Sequence, residues 1–156
     1  MNRIESATSY HERGYGCAQA VLASFAGDYG LIEEHALKLA TGFGSGMGRM
    51  CHVCGALTGG FMVLGLKYGK YQTDGSRYGN ETETTYKLVS ELAAKFKERN
   101  GSIICRELIG YDLSDPEQRA EVVRMGLFKS SCGKFIRDAV DILENDLMKF
   151  EPTPNR

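Results

Sequence analysis

A chain of 156 residues, 42% hydrophobic and 25% charged, can build one self-sufficient core, so its five cysteines are not needed as staples for a small domain. A net charge of −1 without a Lys/Arg block removes the basis for nucleic-acid binding through a basic face and for a polybasic membrane anchor. The opening Met1-Asn2-Arg3-Ile4-Glu5-Ser6 lacks the apolar stretch of an export signal, so a reducing, cytoplasmic setting is expected, where structural disulfides are rare.

Residues 2–13 read as a short polar helix closed by Gly14. After Cys17, the residues Ala18, Val21, Leu22 and Phe25 follow the spacing of one apolar helix face, which Gly27 and Gly30 end. Ile32 to Ala40 is a further helix, with Glu33 and Glu34 suited to its positive end. Next comes the glycine-rich run Gly42-Phe43-Gly44-Ser45-Gly46-Met47-Gly48-Arg49, leading into Met50-Cys51-His52-Val53-Cys54-Gly55. Met50 to Leu66 carries no formal charge, yet 17 residues with His52 and four glycines suit a buried central helix better than a membrane span. Gly55, Gly59 and Gly60 would let neighbouring helices approach closely, at about 1 kcal/mol each relative to alanine.

Residues 68–82 have the composition of a surface loop. A long helix then presents Val89, Leu92, Ala93 and Phe96 until Asn100-Gly101 stops it. Cys105 opens a short segment ending at Gly110. Ser114-Asp115-Pro116-Glu117 has the signature of a helix start. A last helix is expected to begin near Cys132, with Ile136, Ala139, Val140, Leu143, Leu147 and Phe150 on its core face. The expected fold is an all-α, single-domain bundle of about six helices over residues 1–150, built round a buried glycine-rich helix, with 151–156 as a loose tail.

Cys17, Cys54, Cys105 and Cys132 each fall near a predicted helix N-terminus, where partial positive charge and free N–H groups favour thiolate. A bundle that gathers such ends could hold a metal centre or a reactive dithiol. Each cysteine taken singly could equally well be core packing. Cys51-His52-Val53-Cys54 is a C-x-x-C, suited to a redox dithiol in which Cys51 attacks and Cys54 resolves, or to half of a metal site. The second C-x-x-C of a zinc ribbon and the βαβ setting of thioredoxin are both missing.

His52 could serve as a ligand or a base, although a polar helix residue is the plainer reading, and His11 and His35 read as surface residues. The glycine run is not a phosphate loop, since no strand precedes it and no Gly-Lys-Ser/Thr follows. It is either a flexible turn or a cradle in which Gly46 and Gly48 bring backbone N–H groups to cluster sulfurs and Arg49 adds positive charge.

These residues carry a resemblance. Cys17 within Gly-Tyr-Gly-Cys-Ala-Gln-Ala-Val, Cys54-Gly55-Ala56-Leu57-Thr58-Gly59, Cys105 ahead of Leu108-Ile109-Gly110, and then Cys132 resemble the redox-active family named for its pattern C_GCAxxG_C_C, over roughly residues 10–140. The resemblance implies a redox role and, through a related module of split-Soret cytochromes, an iron–sulfur centre with Cys17, Cys54, Cys105 and Cys132 as ligands. A [2Fe–2S] centre is the expected form, with zinc or no metal as the alternatives. No Cys-x-x-Cys-His haem site is present, and Cys51 is extra to the four-cysteine pattern. Electron transfer or redox sensing is the leading expectation and implies a redox partner protein. A metal-free thiol–disulfide oxidoreductase using Cys51 and Cys54 is the alternative, and a structural zinc protein the third. A homodimer is compatible with the composition.

Overall fold

The protein is described by a computed structural model over residues 1–152. Among these residues the fold is all-α, with eight right-handed helices where about six were expected. Backbone pairing outside helices and turns includes one isolated antiparallel bridge, between Val53 and Ile104. The expected tail begins at Glu151, and residues 153–156 of it lie outside the described residues.

α1 (Arg3–Glu12) starts at Asn2, whose side chain accepts from Glu5 N–H while Glu5 accepts from Asn2 N–H, a reciprocal cap. α2 (Cys17–Ala26) has one half of such a cap: Gln19 accepts from Gly16 N–H at 2.8 Å, and Gly16 has no side chain to return the bond. α3 (Glu33–Ala40) has its two glutamates in the first turn, as the charge pattern predicts. α4 (Gly44–Met47) is a single turn of left-handed sense, taken up below. α5 (Gly55–Tyr68) is the predicted buried helix.

α6 (Asn80–Asn100) is the long amphipathic helix, stopped by Gly101 in the left-handed region. α7 (Cys105–Ile109) is one short turn closed by Gly110. α8 (Pro116–Arg124) is capped by Asp115, which accepts from Glu117 N–H at 3.0 Å, so the aspartate rather than Ser114 is the cap. α9 (Leu127–Ile142) begins five residues before Cys132, directly after Gly126. Its apolar face continues through a π-type turn, Leu143–Leu147, where Met148 N–H reaches back to Leu143 O at 2.7 Å.

α5 runs through the middle of the bundle against α2, α6 and α9, with α1 and α3 packed on α2. Leu57, Val63 and Leu64 of α5 meet Leu88, Leu92 and Phe96 of α6 and Ile136, Val140 and Leu143 of α9 in the main core. Each such side chain contributes about 1.5–3 kcal/mol of burial. The glycines of α5 are explained by distance. A β-carbon at Gly59 would lie 2.7 Å from Ala18 O and 3.0 Å from Ala18 Cα, so the contact of α5 with the α2 backbone requires glycine there. Among the described residues no helix is long and apolar enough to cross a membrane.

Candidate functional site

A second, smaller cluster lies at the N-terminal end of α5, where Cys51, Ile109, Leu113, Val122 and Cys132 are buried against Cys17, Cys105 and Phe128. Beside it opens a cavity of about 580 Å³. Its wall contains Cys17, Cys54, Cys105 and Cys132, so four cysteines spread over the chain meet at one space. Cys51 is absent from that wall.

Three of the four sit where the sequence places them. Cys17 is the first residue of α2, Cys54 caps α5 and Cys105 opens α7. Cys132 does not, because α9 begins at Leu127 and Cys132 is in its second turn. The polar stretch Lys129-Ser130-Ser131 hides this start in the sequence, whereas Gly126, at φ 70°, is the breaker that marks it. Gly55 lets two cysteine-bearing ends touch, since a β-carbon there would lie 3.2 Å from both Ala18 N and Cys17 Cβ.

The Val53–Ile104 bridge ties the Cys54 segment to the Cys105 segment. Cys54 N–H donates to Ile103 O at 2.9 Å, Cys105 N–H to His52 O at 2.6 Å, and Arg106 N–H to Cys51 O at 3.2 Å. His52 takes part through its backbone, while its side chain is exposed and the residue lies outside any helix. His35 is exposed, as expected. His11 is not the surface residue the sequence suggested: it is half-buried in the cavity wall, and burial pushes its imidazole below its ordinary value. Tyr15, Phe128, Lys129 and Phe135 also line the cavity. Sequence reading passed over them because nothing local distinguishes them from ordinary helix residues.

The glycine run has a specific geometry. Ser45, Gly46, Met47, Gly48 and Arg49 all have φ between 56° and 68°, five successive residues in the left-handed region. Gly48 N–H donates to Gly44 O at 3.0 Å, and His52 N–H to Gly46 O at 3.0 Å. Left-handed backbone costs about 1–2 kcal/mol for each residue with a β-carbon. Glycine at 46 and 48 limits that cost to Ser45, Met47 and Arg49. Gly46 has a further reason, because a β-carbon there would lie 2.6 Å from His52 N, 2.7 Å from Cys51 Cα and 2.8 Å from Cys105 Cβ. Gly44, Ser45 and Gly46 line the cavity. Gly48 and Arg49 do not, and Arg49 points instead to a neighbouring groove with Arg119.

Electrostatically, burial outweighs the helix ends. Burial pushes the Cys54 thiol up to about 12, even though the N–H groups of Ala56 and Leu57 at the start of α5 pull it down. Cys105 is also raised, first by burial and then by the neighbouring Cys54, Cys51 and Cys132. Cys17 donates to Cys132, which holds the Cys17 proton tightly and lowers Cys132. The lowered thiol values expected from helix N-termini therefore do not hold for Cys17, Cys54 or Cys105. Desolvation of the charged form leads at Cys54 and Cys105, and at Cys17 it adds to the hydrogen bond with Cys132.

These features define an all-helical protein with a cavity walled by thiols from four separate elements. The chain matches the family described as "Putative redox-active protein (C_GCAxxG_C_C)" over residues 15–145, and it belongs to that family. No curated protein and no solved structure matches it.

Proposed function

We propose that the protein is a cytoplasmic electron-transfer or redox-sensing protein that holds an iron–sulfur cluster on Cys17, Cys54, Cys105 and Cys132. The observation that carries this reading is the meeting of those four thiols at one cavity wall. The donor set fits such a group, since four thiolates are what a [2Fe–2S] or [4Fe–4S] centre takes. A single zinc ion fits less well. Zn–S bonds of about 2.3 Å in a tetrahedron need sulfurs about 3.8 Å apart. Among the described residues no three His, Cys, Asp or Glu side chains converge in a way that would hold one metal ion. A multi-atom cluster is wider and suits thiols spaced round a cavity.

When bound, the cluster would supply one-electron chemistry. The chain's own residues do the rest. The α2 and α5 N-termini direct positive dipole ends at the thiolates. The left-handed turn lines the cavity with Gly44, Ser45 and Gly46, and aligned N–H groups of such turns favour anionic sulfur. Phe128, Phe135 and Leu113 keep the wall apolar, which lowers the local dielectric and strengthens both effects. Binding must displace the protons held on Cys17 by its bond to Cys132 and by burial, and on Cys54 and Cys105 by burial, so loading releases protons.

Anaerobic purification or reconstitution tests this reading. The expected product is coloured, carries iron and sulfide, and loses both in Cys17→Ala, Cys54→Ala, Cys105→Ala and Cys132→Ala. A colourless, iron-free protein after reconstitution would sink it, and stoichiometric zinc would move the assignment to a structural metal.

A further inference from the structure

α8 buries one side and leaves another open. Val122 is fully buried in the cluster with Cys51 and Cys132, and the Gln118 side chain is held by Asp112 N–H and by Asp115. Pro116, Arg119, Ala120 and Val123 recur at i, i+3, i+4 and i+7, one stripe of the helix, and they line a groove with Arg49 of the left-handed turn. Pro116, Ala120 and Val123 stay exposed, Val123 at 63%. Ser45 and Phe128 line both this groove and the thiol cavity, so the two share a wall. The charge in the groove is of one sign: its walls carry Arg49 and Arg119 and no acid. Among the described residues no carboxylate pairs with Arg49. Arg119 gives one N–H to Leu113 O at 2.9 Å, which fixes its guanidinium and leaves further donors for a ligand. By contrast, Arg106 is paired with Asp112 and Arg124 with Glu121.

We propose that this groove is the docking site of an acidic electron-carrier protein, whose carboxylates meet Arg49 and Arg119 and whose apolar surface covers Val123. The proposal rests on the electron-transfer reading above and names the kind of partner that site would take. Arginine beside exposed apolar side chains is the composition of a protein–protein contact. A small anion alone would leave the strip of Pro116, Ala120 and Val123 uncovered, and an anionic membrane calls for more positive charge than two arginines supply. A carrier seated here lies against the wall that the groove shares with the cavity, on the side away from the main core.

The test titrates the metal-free, isotope-labelled full chain with an acidic plant-type ferredoxin, with cationic cytochrome c as the control. Amide shifts should gather at Arg49, Ala120 and Val123, weaken as salt rises, and be absent with cytochrome c. Arg49→Gln should bind the ferredoxin about twofold to fivefold more weakly, the range of one exposed ion pair. Val123→Glu sets a like charge in the groove at an exposed side chain, so it should bind at least about tenfold more weakly while keeping the wild-type iron content after loading. No shifts, shifts confined to another face, or an equal response to both carriers would overturn the proposal. The same shifts on raising the protein's own concentration would make the groove a contact between copies of this chain, and the same shifts with phosphatidylglycerol vesicles would make it a membrane site; either result overturns it too. If wild-type protein takes up no iron, the cluster reading fails on its own, and the titration still decides the groove. If iron is bound and the titration fails, only the docking site is lost.

Discussion

At the C-terminal end of α5 the Tyr68 hydroxyl is buried, and its hydrogen is offered to Phe150 O at 2.8 Å and Leu147 O at 3.1 Å. At the N-terminal end the Cys54 thiol is buried beside three other thiols and an open cavity. Burial pushes both groups up to about 12. The tyrosine's proton has acceptors, so its neutral form completes the structure there. The cysteine faces helix N–H groups, which are donors, so its neutral form is poorly matched and its ionised form is desolvated. One end of the helix is closed by packing, while the other opens on a cavity walled by thiols.

The largest expected effect lies in the shared core. Phe96→Ala, at a fully buried position, should cost about 3–5 kcal/mol, read as a fall in the urea midpoint. Both ends of α5 should then unfold in one transition, and two separate transitions would show that the ends are independent. Gly46→Ala should cost about 3 kcal/mol, from overpacking against backbone and from left-handed strain. It should abolish iron uptake while the late titration of Tyr68 stays unchanged. Iron uptake at the wild-type level would mean that the turn does not shape the site.

The comparison sharpens with pH. In metal-free protein the folded chain keeps protons that the unfolded chain releases near the ordinary thiol value of 9. Stability is therefore complete below pH 9 and is lost as the pH climbs towards 12, at up to about 1.4 kcal/mol per pH unit for Cys54. Denaturant midpoints between pH 9 and 11 should fall less steeply in Cys54→Ala. The iron-loaded protein should lack this slope, because its thiols are already deprotonated. The smallest effect is at the other end. Tyr68→Phe should cost about 0.5–1.5 kcal/mol at neutral pH, measured by chemical denaturation, and should leave iron content untouched.

Much of the main core was legible because helical spacing is a local signal. Val21, Leu22 and Phe25, or Ile136, Ala139 and Val140, repeat at the period of the helix they form. The four cysteines were legible through their order and neighbouring glycines, and the structure brings all four to the same cavity. The pairing of residues 51–54 with 103–106 was not legible, since a bridge of this kind leaves no periodic trace. Nor was the sense of the Gly44–Gly48 turn, where alternating glycines read as flexibility although they serve one fixed conformation. The thiol values were misjudged for a related reason. Helix ends are visible in sequence, whereas depth of burial depends on contacts such as those of Gly55 with α2.

The Val53–Ile104 bridge also bears on the order of assembly. Its two sides are separated by the whole of α5 and α6, so closing it costs loop entropy that only the finished bundle offsets. Cys132 lies later still, in α9. During synthesis the site would therefore be completed only after almost the entire chain has emerged, and thermal opening of the molecule should reach it early. Loading with metal would then follow folding in time, making the apo protein an obligatory stage in the life of each chain.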